Sequence, residues 1–328
     1  MSQRMADGFG QLGELEDYHY SFIQNGKITL VGRKHTAQPT HNWGHRVAFG
    51  GSYVLTFDKE SEKWERHDFS TLVNEENAEE ALFVKDGSLY LIVFTNFGAL
   101  EFQKLFKWEN NSFVELSLTA PSKKVFDENH RTDVLAAVGT APDGSTVLVS
   151  GDDNAGVLLH SLAVNGSQAT IESIGSIAGE ENNLRGKPVL ANVFENKVLI
   201  SYGVHGCGFR WENNKLFLFD LTSKSVKHVH IEGEYSDLPK FGFVGPHVAV
   251  VNKNTKSWIV ASGSIQQGMC GSAHYGAVWV LENIFNDESA PVWKEQPQTI
   301  EAGEHVLDGL TLYTVTKESV SSVKLDNV

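Results

Sequence analysis

The chain has 328 residues, of which 41% are hydrophobic and 21% are charged, a balance typical of a folded globular protein. Its formal net charge is −14. This charge argues against sequence-independent binding to nucleic acid or to anionic membranes, which depends on surfaces rich in lysine and arginine. Two cysteines are too few for a disulfide-built scaffold and fit a reducing compartment, so we expect a cytoplasmic protein without a membrane-spanning segment.

The first predicted strands form a hairpin. The apolar runs Tyr18–Ile23 and Lys27–Gly32 are joined by Asn25-Gly26, two residue types that tolerate the positive φ angles of a tight turn. After a long loop comes the run Tyr53–Asp58, and a polar turn then leads to a strand that starts at Trp64. Four short strands in succession predict an antiparallel meander.

The same order of strands and turns recurs along the chain with a period of about 45–60 residues, which is the range of propeller blades. The clearest copy runs from Lys187 to Ile231, and in another copy Ala81–Val84 turns at Asp86-Gly87 into Leu89–Phe94. The fold class predicted is therefore all-β, a β-propeller of six four-stranded antiparallel blades in one domain. The predicted blades cover about residues 18–70, 80–118, 131–177, 187–233, 244–298, and 304–328 together with 10–17, within a single domain of residues 1–328.

The last blade is incomplete in the sequence because it has only three predicted strands, His305–Leu307, Leu310–Val315 and Val320–Leu325, and an unpaired edge beside them would invite aggregation. Gly10–Asp17 is a spare N-terminal strand. We predict that it pairs outside the last strand and closes the ring.

A second strand that ends in glycine and a third strand that ends in aspartate, followed by tryptophan, resemble kelch repeats. Lys27–Gly32, Tyr53–Asp58 and Trp64 carry this resemblance best, and Lys197–Gly203 with Leu216–Asp220 comes next. A single glycine stands where kelch repeats usually have two. The resemblance implies a propeller and, most commonly in that family, an interaction platform; a minority of its members are enzymes.

In a propeller, the connections from second to third strands lie on the same face as the connections between blades. The long, chemically varied loops of this chain all fall on that face, where binding usually occurs. The candidate binding residues are Trp43, Arg46, His130, Arg131, Arg185, His205, Arg210, Trp211 and Tyr275.

Two loops of neighbouring predicted blades carry metal-binding side chains. His205, Cys207, Cys270 and His274 could hold Zn²⁺ in a tetrahedral site. A disulfide between the two cysteines, or simple packing, would explain the same residues. Asp152-Asp153-Asn154 could supply oxygen ligands for Ca²⁺, although the run is also an ordinary turn.

No catalytic motif accompanies these loops: the sequence lacks a Gly-x-Ser-x-Gly elbow, a phosphate-binding glycine loop and the repeated Asp box of sialidases. His160, His228 and His230 fall on predicted strands and are expected to pack or to face solvent. We therefore expect a monomeric, non-catalytic scaffold for a protein or peptide partner, with no cofactor other than the metals named above. The alternatives are a hydrolase or lyase with a His/carboxylate site at the channel mouth, and a carbohydrate-binding propeller.

Overall fold

The computed structural model describes residues 3–10, 12, 18–35, 49–69, 78–95, 100–121, 134–152, 156–178, 187–203, 215–231, 247–262, 265–267, 271–273, 276–285, 289–301 and 303–325. Within these ranges the regular elements are β-strands, and no helix is long and apolar enough to cross a membrane. The chain divides into two compact units, a first unit of Phe9–Gly175 and a second unit of Met1–Gly8 with Ser176–Val328.

The first unit contains two sheets. One is a four-stranded antiparallel meander of β2 (Tyr18–Gln24), β3 (Lys27–His35), β4 (Phe49–Asp58) and β5 (Lys63–Phe69). The other has eight strands, which are β6 (Ala78–Lys85), β7 (Ser88–Thr95), β8 (Glu101–Glu109), β9 (Ser112–Thr119), β10 (Val134–Thr140), β11 (Thr146–Asp152), β12 (Gly156–Asn165) and β13 (Gln168–Ala178).

The eight-stranded sheet consists of two meanders joined through their last strands. β9 and β13 pair in parallel over three residues, and the Ser117 N–H donates to the Ser167 carbonyl at 2.9 Å. Among the described residues, only four sheets have four strands each. The prediction of six separate four-stranded sheets is therefore wrong, because two successive meanders share hydrogen bonds along their outer edges.

The second unit contains three four-stranded antiparallel sheets and a small ribbon. The first sheet is β14–β17, the second is β18, β19, β22 and β23, and the third is β24–β26 with β1. Their bounds are β1 (Gln3–Asp7), β14 (Lys187–Phe194), β15 (Lys197–Gly203), β16 (Lys215–Asp220), β17 (Val226–His230), β18 (His247–Asn252), β19 (Ser257–Ser262), β22 (Gly276–Glu282), β23 (Val292–Ile300), β24 (Glu304–Asp308), β25 (Thr311–Val315) and β26 (Ser319–Lys324). The ribbon pairs β20 (Ile265–Gln267) with β21 (Gly271–Ala273), inside a stretch that the sequence predicted as loop.

An N-terminal strand does complete the last sheet, but with other residues than predicted. β1, Gln3–Asp7, pairs antiparallel with β26. Residues 11 and 13–17 of the predicted Gly10–Asp17 strand lie outside the described residues. Gly8 ends the pairing tightly, since a Cβ there would lie 2.3 Å from the Thr316 carbonyl oxygen.

Tight turns formed as the sequence predicted. Asn25 and Gly26 have φ values of 51° and 76°, and Asp86 and Gly87 have 48° and 73°. Positive φ at both central residues gives the turn a twist that matches the flanking strands. These turns set the register in which β2 pairs with β3 and β6 pairs with β7.

The hydrophobic core lies between the faces of successive sheets. In the first unit, Val31 and Val54 pack with Leu82 and Leu91 of the next meander. In the second unit, Leu199 and Leu218 pack with Trp258 and Leu281. Meanders stacked face to face in this way are the blades of a β-propeller-like fold, so the all-β, propeller-like class predicted from the sequence is confirmed.

The glycine that ends the predicted second strand has a packing role in β3. Gly32 pairs with Tyr53, and a Cβ at Gly32 would lie 2.2 Å from Cζ of the Tyr53 ring. The Arg66 guanidinium covers the ring at 4.4 Å from its centroid. Glycine is therefore needed here because the tyrosine ring lies directly on its Cα.

Candidate functional site

The sheets have two different ends. At the hairpin end, the first strand turns into the second and the third turns into the fourth. At the loop end, the second strand connects to the third and each sheet connects to the next. The long loops predicted to carry function all belong to the loop end.

The predicted site residues lie outside the described residues. This applies to the binding candidates Trp43, Arg46, His130, Arg131, Arg185, His205, Arg210, Trp211 and Tyr275, and to the zinc candidates His205, Cys207, Cys270 and His274. Asp152 lies at the end of β11, and Asp153 and Asn154 follow it outside the described residues. These predictions therefore stay predictions.

Within the part of the chain that the structure describes, no group of three or more His, Cys, Asp or Glu side chains is placed to hold a metal ion. The acidic side chains of this part therefore act singly. Their pKa values differ because the hairpin end and the loop end of the sheets surround them differently.

At the hairpin end, aspartates close the turns. One carboxylate oxygen of Asp58, the last residue of β4, accepts the N–H groups of Glu60 and Ser61 at 3.0 and 3.1 Å. Lys27 lies 3.1 Å from the other oxygen. The Ser61 N–H, the lysine and the Glu60 N–H lower the pKa of Asp58 to about 2.

Asp220, the last residue of β16, repeats this arrangement. It accepts the N–H groups of Thr222 and Ser223 at 2.9 and 2.8 Å, and Lys197 lies 3.7 Å away. The Ser223 N–H is the largest of the causes that lower the pKa of Asp220. The carboxylates that carry the kelch resemblance are therefore turn-closing groups and stay ionised.

Glu304 is an acidic residue of the opposite kind. It is the first residue of β24 and lies at the loop end, where β23 connects to the next sheet. Its side chain is partly buried, and this burial raises its pKa to about 7. A carboxyl group with this pKa is half protonated near neutral pH and can donate or accept a proton.

His305, beside Glu304, is fully buried, and its Nε2 lies 3.0 Å from the Glu301 carbonyl oxygen. The predicted strand His305–Leu307 began one residue too late to include Glu304. The signal that could have found it is a carboxylate placed after a glycine at the start of a first strand.

The three histidines that the sequence predicted to pack or to face solvent, His160, His228 and His230, behave as expected. His160 is 3% exposed and contacts the Phe102 ring edge-on at 5.2 Å, and burial lowers its pKa to about 4. His228 is exposed and stacks on Phe217 at 5.0 Å, and His230 is exposed. His160 therefore packs as a neutral side chain in the core of the first unit.

No family model matches the sequence, and no curated protein matches it. Among solved structures, the chain is similar to an exo-β-1,3-galactanase from Clostridium thermocellum, with 11% identity, 94% of this chain and 69% of that chain covered, and a TM-score of 0.50. It is also similar to a GH43 β-1,3-galactosidase solved with galactodeoxynojirimycin, with 9% identity, 90% and 99% of the two chains covered, and a TM-score of 0.49.

A third similar structure is a GH43 β-xylosidase/α-arabinofuranosidase from a compost metagenome, with 11% identity, 90% and 95% of the two chains covered, and a TM-score of 0.41. At these identities, the likeness to the galactanase shows the fold alone.

Proposed function

We propose that the protein hydrolyses a glycosidic bond, with Glu304 as the proton donor at the loop end of β24. The observation that carries this proposal is a partly buried carboxyl group whose pKa is raised to about 7 by burial. Glycoside hydrolysis needs such a group, because a carboxylic acid that stays protonated near neutral pH can protonate the departing sugar oxygen.

The fold supports the substrate class by analogy. The galactanase with a similar fold is named for its action on β-1,3-galactan, so a β-linked galactan is the first substrate to test here. A fold can host many chemistries, and for this reason the proposal rests on Glu304, with the fold as support.

A glycosidase also needs a second carboxylate, which acts as base or nucleophile. In the sequence, Glu180 and Glu181 precede β14 in the connection at the loop end of the second unit. We propose this pair as the first source of the second carboxylate. Both residues lie outside the described residues, so substitution to glutamine is the way to test them.

The scaffold function expected from the sequence finds no support in the described residues. The large hydrophobic side chains exposed there are Leu12, Val114 and Val226, which lie on three separate segments. A docking surface for a protein partner usually presents a contiguous apolar patch. The zinc site of His205, Cys207, Cys270 and His274 keeps its own test, which is zinc analysis of the purified protein with Cys207→Ser as control.

The experiment is an activity assay on the full chain. β-1,3-Galactan and nitrophenyl β-galactoside, β-xyloside and α-arabinofuranoside are incubated with the wild type, Glu304→Gln and Asp308→Asn. Asp308 is the matched control, since it is an exposed carboxylate at the hairpin end of the same strand. We expect kcat to fall about 100-fold or more in Glu304→Gln, the usual contribution of a general acid, and to be unchanged in Asp308→Asn.

The pH dependence gives a second readout. The wild-type rate is expected to fall as pH rises above 7, because Glu304 then loses the proton it must donate. Absence of hydrolysis of all four substrates, or a fully active Glu304→Gln, would overturn the proposal. In that case, capture of a protein partner by the inactive wild type would favour the scaffold.

A further inference from the structure

Both residues that flank Glu304 make close contacts with the rest of the second unit. His305 is 0% exposed, and its Nε2 lies 3.0 Å from the Glu301 carbonyl oxygen. A buried imidazole needs such a partner, because an unsatisfied polar group costs about 1–3 kcal/mol in the interior. The contact ties the start of β24 to the residue that directly follows β23.

Gly303 fixes the other side of Glu304. A Cβ at Gly303 would lie 2.7 Å from the Val315 carbonyl oxygen and within 3.1 Å of the methyl groups of Thr314 and Thr316. No side chain other than hydrogen fits between the Gly303 backbone and the end of β25. Glu304 itself pairs with Val315 in the sheet.

The alternation of the strand then decides where the carboxyl group goes. Successive side chains of a strand point to opposite faces. His305 shares its face with Leu307, which packs against the cluster of Ile259, Val280 and Leu312. Glu304 therefore points to the other face, which it shares with the buried Val306.

We propose that His305 and Gly303 are positioning residues that hold the carboxyl group of Glu304 in its partly buried place. This inference rests on the proposed function, because a proton donor must be held to within a fraction of an ångström to work. Neither residue is assigned contact with a substrate. Their role is to keep Glu304 from swinging into water.

The pKa of Glu304 reports on its position, because it is raised only while the carboxyl group stays buried. Burial is the cause of its raised pKa. β25 and β18 pack against β24, and their titratable residues are Tyr313 and His247. Glu301 precedes the strand and is exposed, and Asp308 ends it.

The test is a ¹³C NMR titration of the full chain labelled in its glutamate carboxyl groups. The Glu304 signal is assigned by its loss in Glu304→Gln. In the wild type and in His305→Gln, which keeps an N–H donor for the Glu301 carbonyl, the midpoint is expected near 7. In His305→Leu and Gly303→Ala, it is expected to move towards the ordinary value of 4.5.

His160→Leu is the matched control, since it removes a buried histidine of the first unit and should leave the Glu304 midpoint unchanged. If His305→Leu does not fold, His305→Asn replaces it, because the shorter side chain draws the donor away from Glu301. Folded Gly303→Ala and His305→Leu, or His305→Asn in its place, with a wild-type midpoint would overturn the positioning role. An active Glu304→Gln would overturn only the proposed function, so the two failures are distinguishable.

Discussion

Asp58 and Asp220 close hairpin turns and are held ionised, whereas Glu304, at the opposite end of its sheet, is partly buried and held towards its protonated form. The same functional group thus has its pKa lowered at one end and raised at the other. Backbone N–H donors and a lysine cause the first effect, and loss of hydration causes the second.

Asp58 and Asp220 are structural carboxylates, whereas Glu304 is a candidate functional one. The hairpin-end aspartates satisfy the N–H groups of the turn that follows them, which is a local task that any four-stranded blade has. Glu304 closes no turn. Because burial raises its pKa, it lowers the stability of the folded state near neutral pH. Carboxyl groups with pKa values shifted in this way are common at functional sites, which makes Glu304 a candidate.

The first prediction concerns Glu304→Gln and the stability of the fold. Glu304 keeps its proton up to about pH 7 in the folded state and only up to about 4.5 in the unfolded chain, so the contribution of Glu304 to wild-type stability falls as pH rises through this window. Above pH 7, Glu304→Gln should therefore be more stable than the wild type by about 3 kcal/mol, and about equal at pH 4. Urea unfolding at pH 4 and pH 8 measures this, with Asp308→Asn as the control that should show no such difference.

The second prediction concerns His160, whose pKa is lowered by the same cause. Its unfolded pKa is 6.5 and its folded pKa about 4, so the contribution of His160 to wild-type stability falls by about 3 kcal/mol as pH drops through this window. His160→Leu should remove that loss, so between pH 6.5 and pH 4 its free energy of unfolding in urea should rise by about 3 kcal/mol relative to that of the wild type. His230→Gln, at an exposed position of β17, should keep the wild-type slope. If both variants behaved alike, burial would not be the cause.

Third, Gly32→Ala should destabilise the fold by about 1–3 kcal/mol, the usual cost of overpacking. The added methyl group would collide with the Tyr53 ring. The ring has little room to move, because the Arg66 guanidinium lies over it. Tyr53→Leu in the same chain should recover most of the loss in a thermal melt. If Gly32→Ala lowered the stability by the same amount in a chain that carries Tyr53→Leu, the contact with the ring would not be the cause.

The smallest effect is expected for Asp58→Asn at the hairpin end. Because the folded pKa lies near 2 and the unfolded value at 3.8, the stabilisation from this carboxylate is present above 3.8 and disappears as pH falls through 2. Asp58→Asn should lower the melting temperature slightly at pH 6 and leave it unchanged at pH 2. Glu60→Gln, in the same turn, should change neither value. A drop that persisted at pH 2 would contradict the role of the charge.

Much of the fold could be predicted because its signals are local. Asn25-Gly26 and Asp86-Gly87 mark hairpins by backbone freedom, and the third strands end at Asp58 and Asp220 as expected. The closing strand was misplaced for a physical reason. Gly10–Asp17 has the more apolar sequence, but an outer strand needs only backbone hydrogen bonds, which the polar Gln3–Asp7 supplies as well.

The sequence by itself determined the strands, their turns and the carboxylates that close them, because each depends on residues a few positions apart. Tertiary structure alone decided the parallel pairing of β9 with β13, since no local turn marks it. It also decided the protonation of Glu304, because burial depends on which distant strands pack around the start of β24, and no spacing of residues along the chain encodes that environment.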